Sequence, residues 1–167
     1  MVSWKYHATD EEIKIKDATF TYSSSTASTS DFVKATVWDG ATKVGEAVWA
    51  GTSQFATSTL TSYFIVPKDG DKVLTVSLDI PSIGVTSSST AGRLLAIHYD
   101  GNSSTTGVGV SSGQNLGSGS VTSFAGDTMQ LMKTVPTLAK IAVPASSITV
   151  GDAILYRFSV KADAAGP

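Results

Sequence analysis

The 167-residue chain has no cysteine and only two histidines. It therefore lacks a thiol nucleophile and a disulfide framework, and has almost nothing for a Cys/His zinc site. Charged residues make up only 16% of the chain, which argues against a coiled coil. A formal charge of −2 lacks the basic excess of a nucleic-acid binder, so no nucleic-acid partner is expected. No apolar run approaches the roughly 20 residues of a membrane span. Residues 1–6 carry no apolar signal core, so no signal peptide is expected there. A helical apolar period over three turns is also missing.

Serine and threonine are abundant instead, 45 residues together, and 41% of the chain is hydrophobic. That balance is too apolar for full disorder. One core can stabilise a chain of this length, with roughly 70% of the unfolded surface buried. A single domain over 1–167 is expected. Residues 134–167 stand apart within it as either the opening strands of a following repeat or an exchanged segment.

Strand patterns recur along the chain. In Lys72–Ile80, Leu74, Val76, Leu78 and Ile80 alternate with more polar positions, a period of two with one buried face. Ile154–Lys161 sets Ile154, Tyr156, Phe158 and Val160 against Leu155, Arg157, Ser159 and Lys161. Val2, Trp4, Tyr6 and Ala8 alternate in the same way. Ile13–Tyr22 reads as a strand whose face changes near Asp17-Ala18, a bulge signal. Phe32–Trp38 and Val44–Trp49 flank Asp39-Gly40, a hairpin signature. Asp69-Gly70-Asp71 reads as another hairpin turn. Tyr63–Val66, Leu94–Tyr99, Met129–Lys133, Leu138–Val143 and Ser146–Thr149 are further candidates. The pattern predicts an all-β fold, an Ig-like antiparallel β-sandwich of about ten strands. Ser23–Ser30, Val85–Thr90 and Asn102–Ser120 are its long Gly/Ser/Thr-rich loops. Val108, Val110 and Leu116 offer anchors for a short edge strand within the third.

Three stretches carry a resemblance. They are Phe64-Ile65-Val66-Pro67-Lys68-Asp69-Gly70-Asp71-Lys72-Val73-Leu74-Thr75-Val76, Gly126-Asp127-Thr128-Met129 with Lys133-Thr134-Val135-Pro136-Thr137, and Leu155-Tyr156-Arg157-Phe158-Ser159-Val160-Lys161-Ala162-Asp163-Ala164-Ala165-Gly166. The chain resembles Ig-like tandem repeat domains of large secreted cell-surface proteins of candidate-phylum bacteria. In similar proteins a segment like the third leads into a Val-Ser-Trp-Lys strand, as at Val2-Ser3-Trp4-Lys5 here. The resemblance implies an extracellular, non-enzymatic structural or adhesive role as a spacer, stalk or filament subunit. Its partners would be neighbouring copies or repeats of itself, with a surface glycan or protein as a further candidate. It carries no catalytic residues.

Several constellations compete with plainer readings. His7 and His98 are the only imidazoles, and Gly117-Ser118-Gly119-Ser120 is low-complexity sequence, not a nucleophile elbow. His98 reads as a polar-face strand residue, and no enzyme activity or cofactor is expected. Calcium is the one candidate ion, because it favours several loop oxygens. Its candidate ligands are Asp10 and Glu12 in Asp10-Glu11-Glu12, together with Asp69 and Asp71; Asp100/Asn102 is a weaker pair. None follows EF-hand spacing. An isopeptide bond would need a lysine, an Asn or Asp acceptor and a buried acid. Glu46 is the acid to check, with Asn102 and Asn115 as the only asparagines; a bulge near Gly45 would turn Glu46 outward. Asn102-Ser103-Ser104 also matches a glycosylation sequon. Trp38 lies opposite Val33, Ala35 and Val37, so it is the candidate stacking platform if the chain is a carbohydrate-binding module.

Overall fold

The computed structural model describes residues 1–162 except 24–25, 85–88, 102–104, 118, 144–146 and 149. The chain is all-β, with twelve strands among the described residues. It divides into two compact units, Met1–Leu131 and Met132–Pro167.

In the first unit, β1 (Val2–Ala8), β6 (Gly70–Asp79), β3 (Lys34–Asp39) and β4 (Thr42–Ala47) form an antiparallel sheet in the order β1-β6-β3-β4. β1 pairs with β6 over seven residues, from Val2↔Val76 to Ala8↔Gly70. Its alternation sends Trp4, Tyr6 and Ala8 into the core and leaves Ser3, Lys5 and His7 exposed. The β3–β4 hairpin turns at Gly40-Ala41, as Asp39-Gly40 predicts. A register shift between Val37 and Trp38 sets Val37 opposite Gly45 and Trp38 opposite Lys43.

The second sheet is built around β2 (Ile13–Ser23). On one side β2 pairs with β5 (Phe55–Val66). Its other edge is shared end to end by β7 (Leu94–Asp100) and β8 (Thr106–Gly109). β9 (Asn115–Leu116) extends β8, and β10 (Met129–Gln130) extends β7. The expected bulge falls between Ile15 and Asp17, one position before Asp17-Ala18. Val108 and Leu116 do anchor short strands, while Val110 lies beyond β8 in a turn.

The two sheets face each other as a sandwich. Trp4 stacks on Phe20 at 5.7 Å between ring centroids, and Tyr6 meets Phe64 at 5.3 Å and Tyr99 at 5.6 Å. Ala35, Val37, Leu74 and Val76 from one sheet and Ile15, Phe20, Phe64 and Ile97 from the other are almost wholly buried. Threonine hydroxyls pair several polar positions across the second sheet. The Thr19 hydroxyl bonds that of Thr57 at 2.8 Å, and the Thr19 amide donates to the Thr105 hydroxyl. Asp17 accepts from Thr59 and Thr106, tying β2 to both neighbours.

Two expectations change here. Asp69-Gly70-Asp71 is not a hairpin turn: β5 and β6 belong to different sheets, so this turn carries the chain across the sandwich. Pro67 has no amide for a ladder, and Gly70 N–H closes back on the Pro67 carbonyl at 3.2 Å. Tyr63–Val66 is only the end of β5, which begins eight residues earlier at Phe55.

The second unit contains one antiparallel hairpin, β11 (Thr137–Ile141) with β12 (Arg157–Lys161). Every residue of both strands is exposed. Ile154–Tyr156 precede β12, because pairing ends at Ile141↔Arg157. Of the Ser146–Thr149 candidate, Ser146 and Thr149 lie outside the described residues, and Ser147-Ile148 form no strand.

Candidate functional site

The sandwich is sealed along the side where β4 meets β5, where the Thr61 hydroxyl donates to the Val44 carbonyl. The opposite side is bounded by β1. There β1 is the terminal strand of its sheet among the described residues. A cleft of about 500 Å³ runs between β1 and the segment that follows β9. Trp4, Tyr6, Ile13, Ile15, Val66 and Tyr99 form its floor, and Leu116, Val121 and Phe124 its far wall. Phe124 is held by a two-way backbone bridge to Tyr99, yet its side chain is half exposed.

The floor is apolar but for two hydroxyls. Tyr6 and Tyr99 bury their phenol oxygens without a hydrogen-bond partner of ordinary geometry. Burial pushes the Tyr6 phenol well above its ordinary pKa, and the neighbouring Tyr99 adds to the effect. Burial also raises Tyr99. Both therefore stay neutral over the physiological range.

The acidic candidates gather at one end of β1, because the pairing of Ala8 with Gly70 brings 10 and 69–71 together. The Asp10 amide donates to Asp69 Oδ1 at 3.2 Å, and both residues have left-handed backbones, φ +69° and +49°. Asp71 is already engaged: Lys5 Nζ lies 3.0 Å and His7 Nδ1 2.8 Å from its two oxygens. Lys5 first, and then His7, holds its carboxyl below the usual range. Glu12 contributes its carbonyl, which accepts from Val110 N–H. The working carboxylate of this run is Glu11, which accepts from the amides of Ser111 and Ser112 and from the Ser112 hydroxyl. It fixes the 110–113 turn that follows β8. No group of three or more His, Asp or Glu is placed to hold a metal ion among the described residues.

The other candidates are scattered. Trp38 sits half-buried on the outer face of the first sheet and donates its indole N–H to the Ser77 hydroxyl at 3.0 Å. Glu46 lies on that face too, between Lys34 and Lys43, because the bulge at Val44-Gly45 turns both of those residues inward. The two lysines lower its carboxyl to about 2. His98 takes a partly exposed position in β7, where its Nδ1 accepts from Gly126 N–H. That bond needs the proton on Nε2. Asn115 is exposed in β9, whereas Asn102 and its sequon lie outside the described residues. Asp100 is buried and accepts from the Ser123 hydroxyl.

The cleft was not legible as a site, since Tyr6 and Tyr99 read simply as inward strand residues. Sequence reading also missed that Arg93 donates to a buried Asp31 carboxylate, although Ser28-Thr29-Ser30-Asp31 is turn-forming chemistry that could have flagged it.

No family model, curated protein or solved structure matches the chain.

Proposed function

We propose that this protein is a non-enzymatic structural or adhesive module of a bacterial surface protein, built as an Ig-like repeat and acting as a spacer, stalk or filament subunit. One observation carries the reading: a sandwich in which β1 is a terminal strand shares its chain with a separate two-stranded hairpin that has one largely apolar face. Such a chain presents two surfaces suited to joining sandwich units in series. The resemblance around Phe64–Val76 and Leu155–Gly166 points the same way. Disulfide cross-links are excluded for want of cysteine, so such a module would resist load through its core and ladders. Antibodies raised against the first unit should label intact, unpermeabilised cells of the source bacterium. Signal confined to the cytoplasmic fraction would sink the reading.

A carbohydrate-binding module is the alternative, carried by the outward position of Trp38. It predicts that Trp38→Ala abolishes binding on a glycan array.

A further inference from the structure

We propose that the β11–β12 hairpin of one copy docks as two added strands on the β1 edge of a second copy and closes the cleft there. This inference rests on the surface-module reading and names the contact by which copies of the chain would join.

The donor surface follows from register. Leu138 pairs with Val160 and Lys140 with Phe158, so these four side chains share one face. Tyr156 packs beside Phe158 with ring centroids 6.0 Å apart. Leu138, Tyr156, Phe158 and Val160 are 69%, 63%, 60% and 59% exposed. A two-stranded ribbon in water is marginal without a surface to cover such a face. The opposite face carries Thr137, Ala139, Ile141, Arg157, Ser159 and Lys161.

The acceptor surface matches in three ways. β1 is a terminal strand, and a sheet edge recruits strands through its unpaired backbone groups. The inner face of β1 is apolar, with Trp4 and Tyr6 beside the open cleft, and its outer face is polar, with Ser3, Lys5 and His7. A ribbon continuing this sheet would lay its apolar face over Leu116, Val121 and Phe124 and turn its more polar face to water. The charges are also complementary. Residues 132–167 carry Lys133, Lys140, Arg157 and Lys161 against Asp152 and Asp163, a net +2, which leaves −4 on residues 1–131. The run Asp10-Glu11-Glu12 lies in the chain between Thr9 and Ile13, both of which line the cleft. Lys140, the one charge on the apolar face, can extend its ammonium past the rim.

A contact of this kind joins different surfaces, so it propagates into open chains or closes by reciprocal exchange. Sedimentation of the full chain over a wide concentration range should show mass rising above the monomer. Phe158→Asp, which alters an exposed side chain and leaves the sandwich untouched, should return it to monomer, and added salt should weaken association. The absence of cysteine permits a direct check. A Lys5→Cys population mixed with a Ser159→Cys population should oxidise to the mixed disulfide dimer in excess of either like pair. A chain that sediments as a monomer at every concentration overturns the proposal, as does random cross-linking. Surface labelling of cells together with a monomeric chain would leave the module reading standing and remove this contact alone.

Discussion

Arg93 donates to a fully buried Asp31 carboxylate, and the pair joins the turn at 28–31 to the loop before β7. The same carboxylate accepts from the Ser28 amide at 2.8 Å and lies 3.4 Å from the Thr90 amide. It thus satisfies backbone groups from two loops that are rich in serine and threonine. Burial alone would raise its pKa, but the Ser28 amide and Arg93 outweigh that and hold it below the ordinary value. Breaking such a buried pair leaves an uncompensated charge, so Asp31→Ala should cost about 3 kcal/mol in chemical denaturation. A carboxyl with a lowered folded-state pKa gives stability that is full above about pH 4 and lost as pH falls. A variant with wild-type stability would show that the hub is dispensable.

Glu46 should dominate the acid sensitivity of the outer face. Its carboxyl is lowered from 4.5 to about 2 by Lys34 and then Lys43. Its contribution is complete above pH 4.5 and fades as pH falls toward 2. The wild-type curve minus that of Glu46→Gln should therefore slope only in this window. Because the group is partly exposed, salt should flatten that slope. A difference curve that is level across the window would rule out the lysine pair as the cause.

Where sequence reading failed, small inward residues were the reason. β1, β6 and β7 announce themselves because their buried positions are Trp4, Tyr6, Leu74, Val76, Leu95 and Ile97. The first half of β5 turns Ala56 and Ser58 inward, so its alternation vanishes into a Thr/Ser background. β8 buries Gly107 and Gly109, where an added Cβ would come within 2.8 Å of the Lys14 carbonyl and 2.3 Å of the Glu11 carboxylate. A Gly/Ser loop and a Gly-buried strand look alike in one dimension. The cleft was hidden for a different reason: no local pattern reveals that β1 ends its sheet.

Gly45 tests this close packing. A Cβ there would stand 2.3 Å from Ser58 Oγ, a buried hydroxyl with no hydrogen-bond partner. Gly45→Ala should cost about 2 kcal/mol through overpacking. Ser58→Ala removes the clashing oxygen and should be close to neutral by itself. Combined, the two should be less damaging than their sum by about 1 kcal/mol. Strict additivity would place the strain elsewhere.

Tyr6 and Tyr99 make the cleft floor sensitive to alkali. Both phenols have raised folded-state pKa values, through burial first. The native state then holds protons that the unfolded chain releases from about pH 10 upward. Stability should be flat below that point and fall as pH climbs beyond it. Tyr6→Phe deletes a buried hydroxyl that has no hydrogen-bond partner of ordinary geometry, so at neutral pH it should change stability by less than about 1 kcal/mol. Above pH of about 10 the variant should outlast the wild type, since it loses the larger of the two proton-linked penalties. Parallel denaturation series at neutral and alkaline pH would check this. Equal alkaline losses in the two proteins would mean that the Tyr6 phenol ionises as freely in the fold as in the open chain.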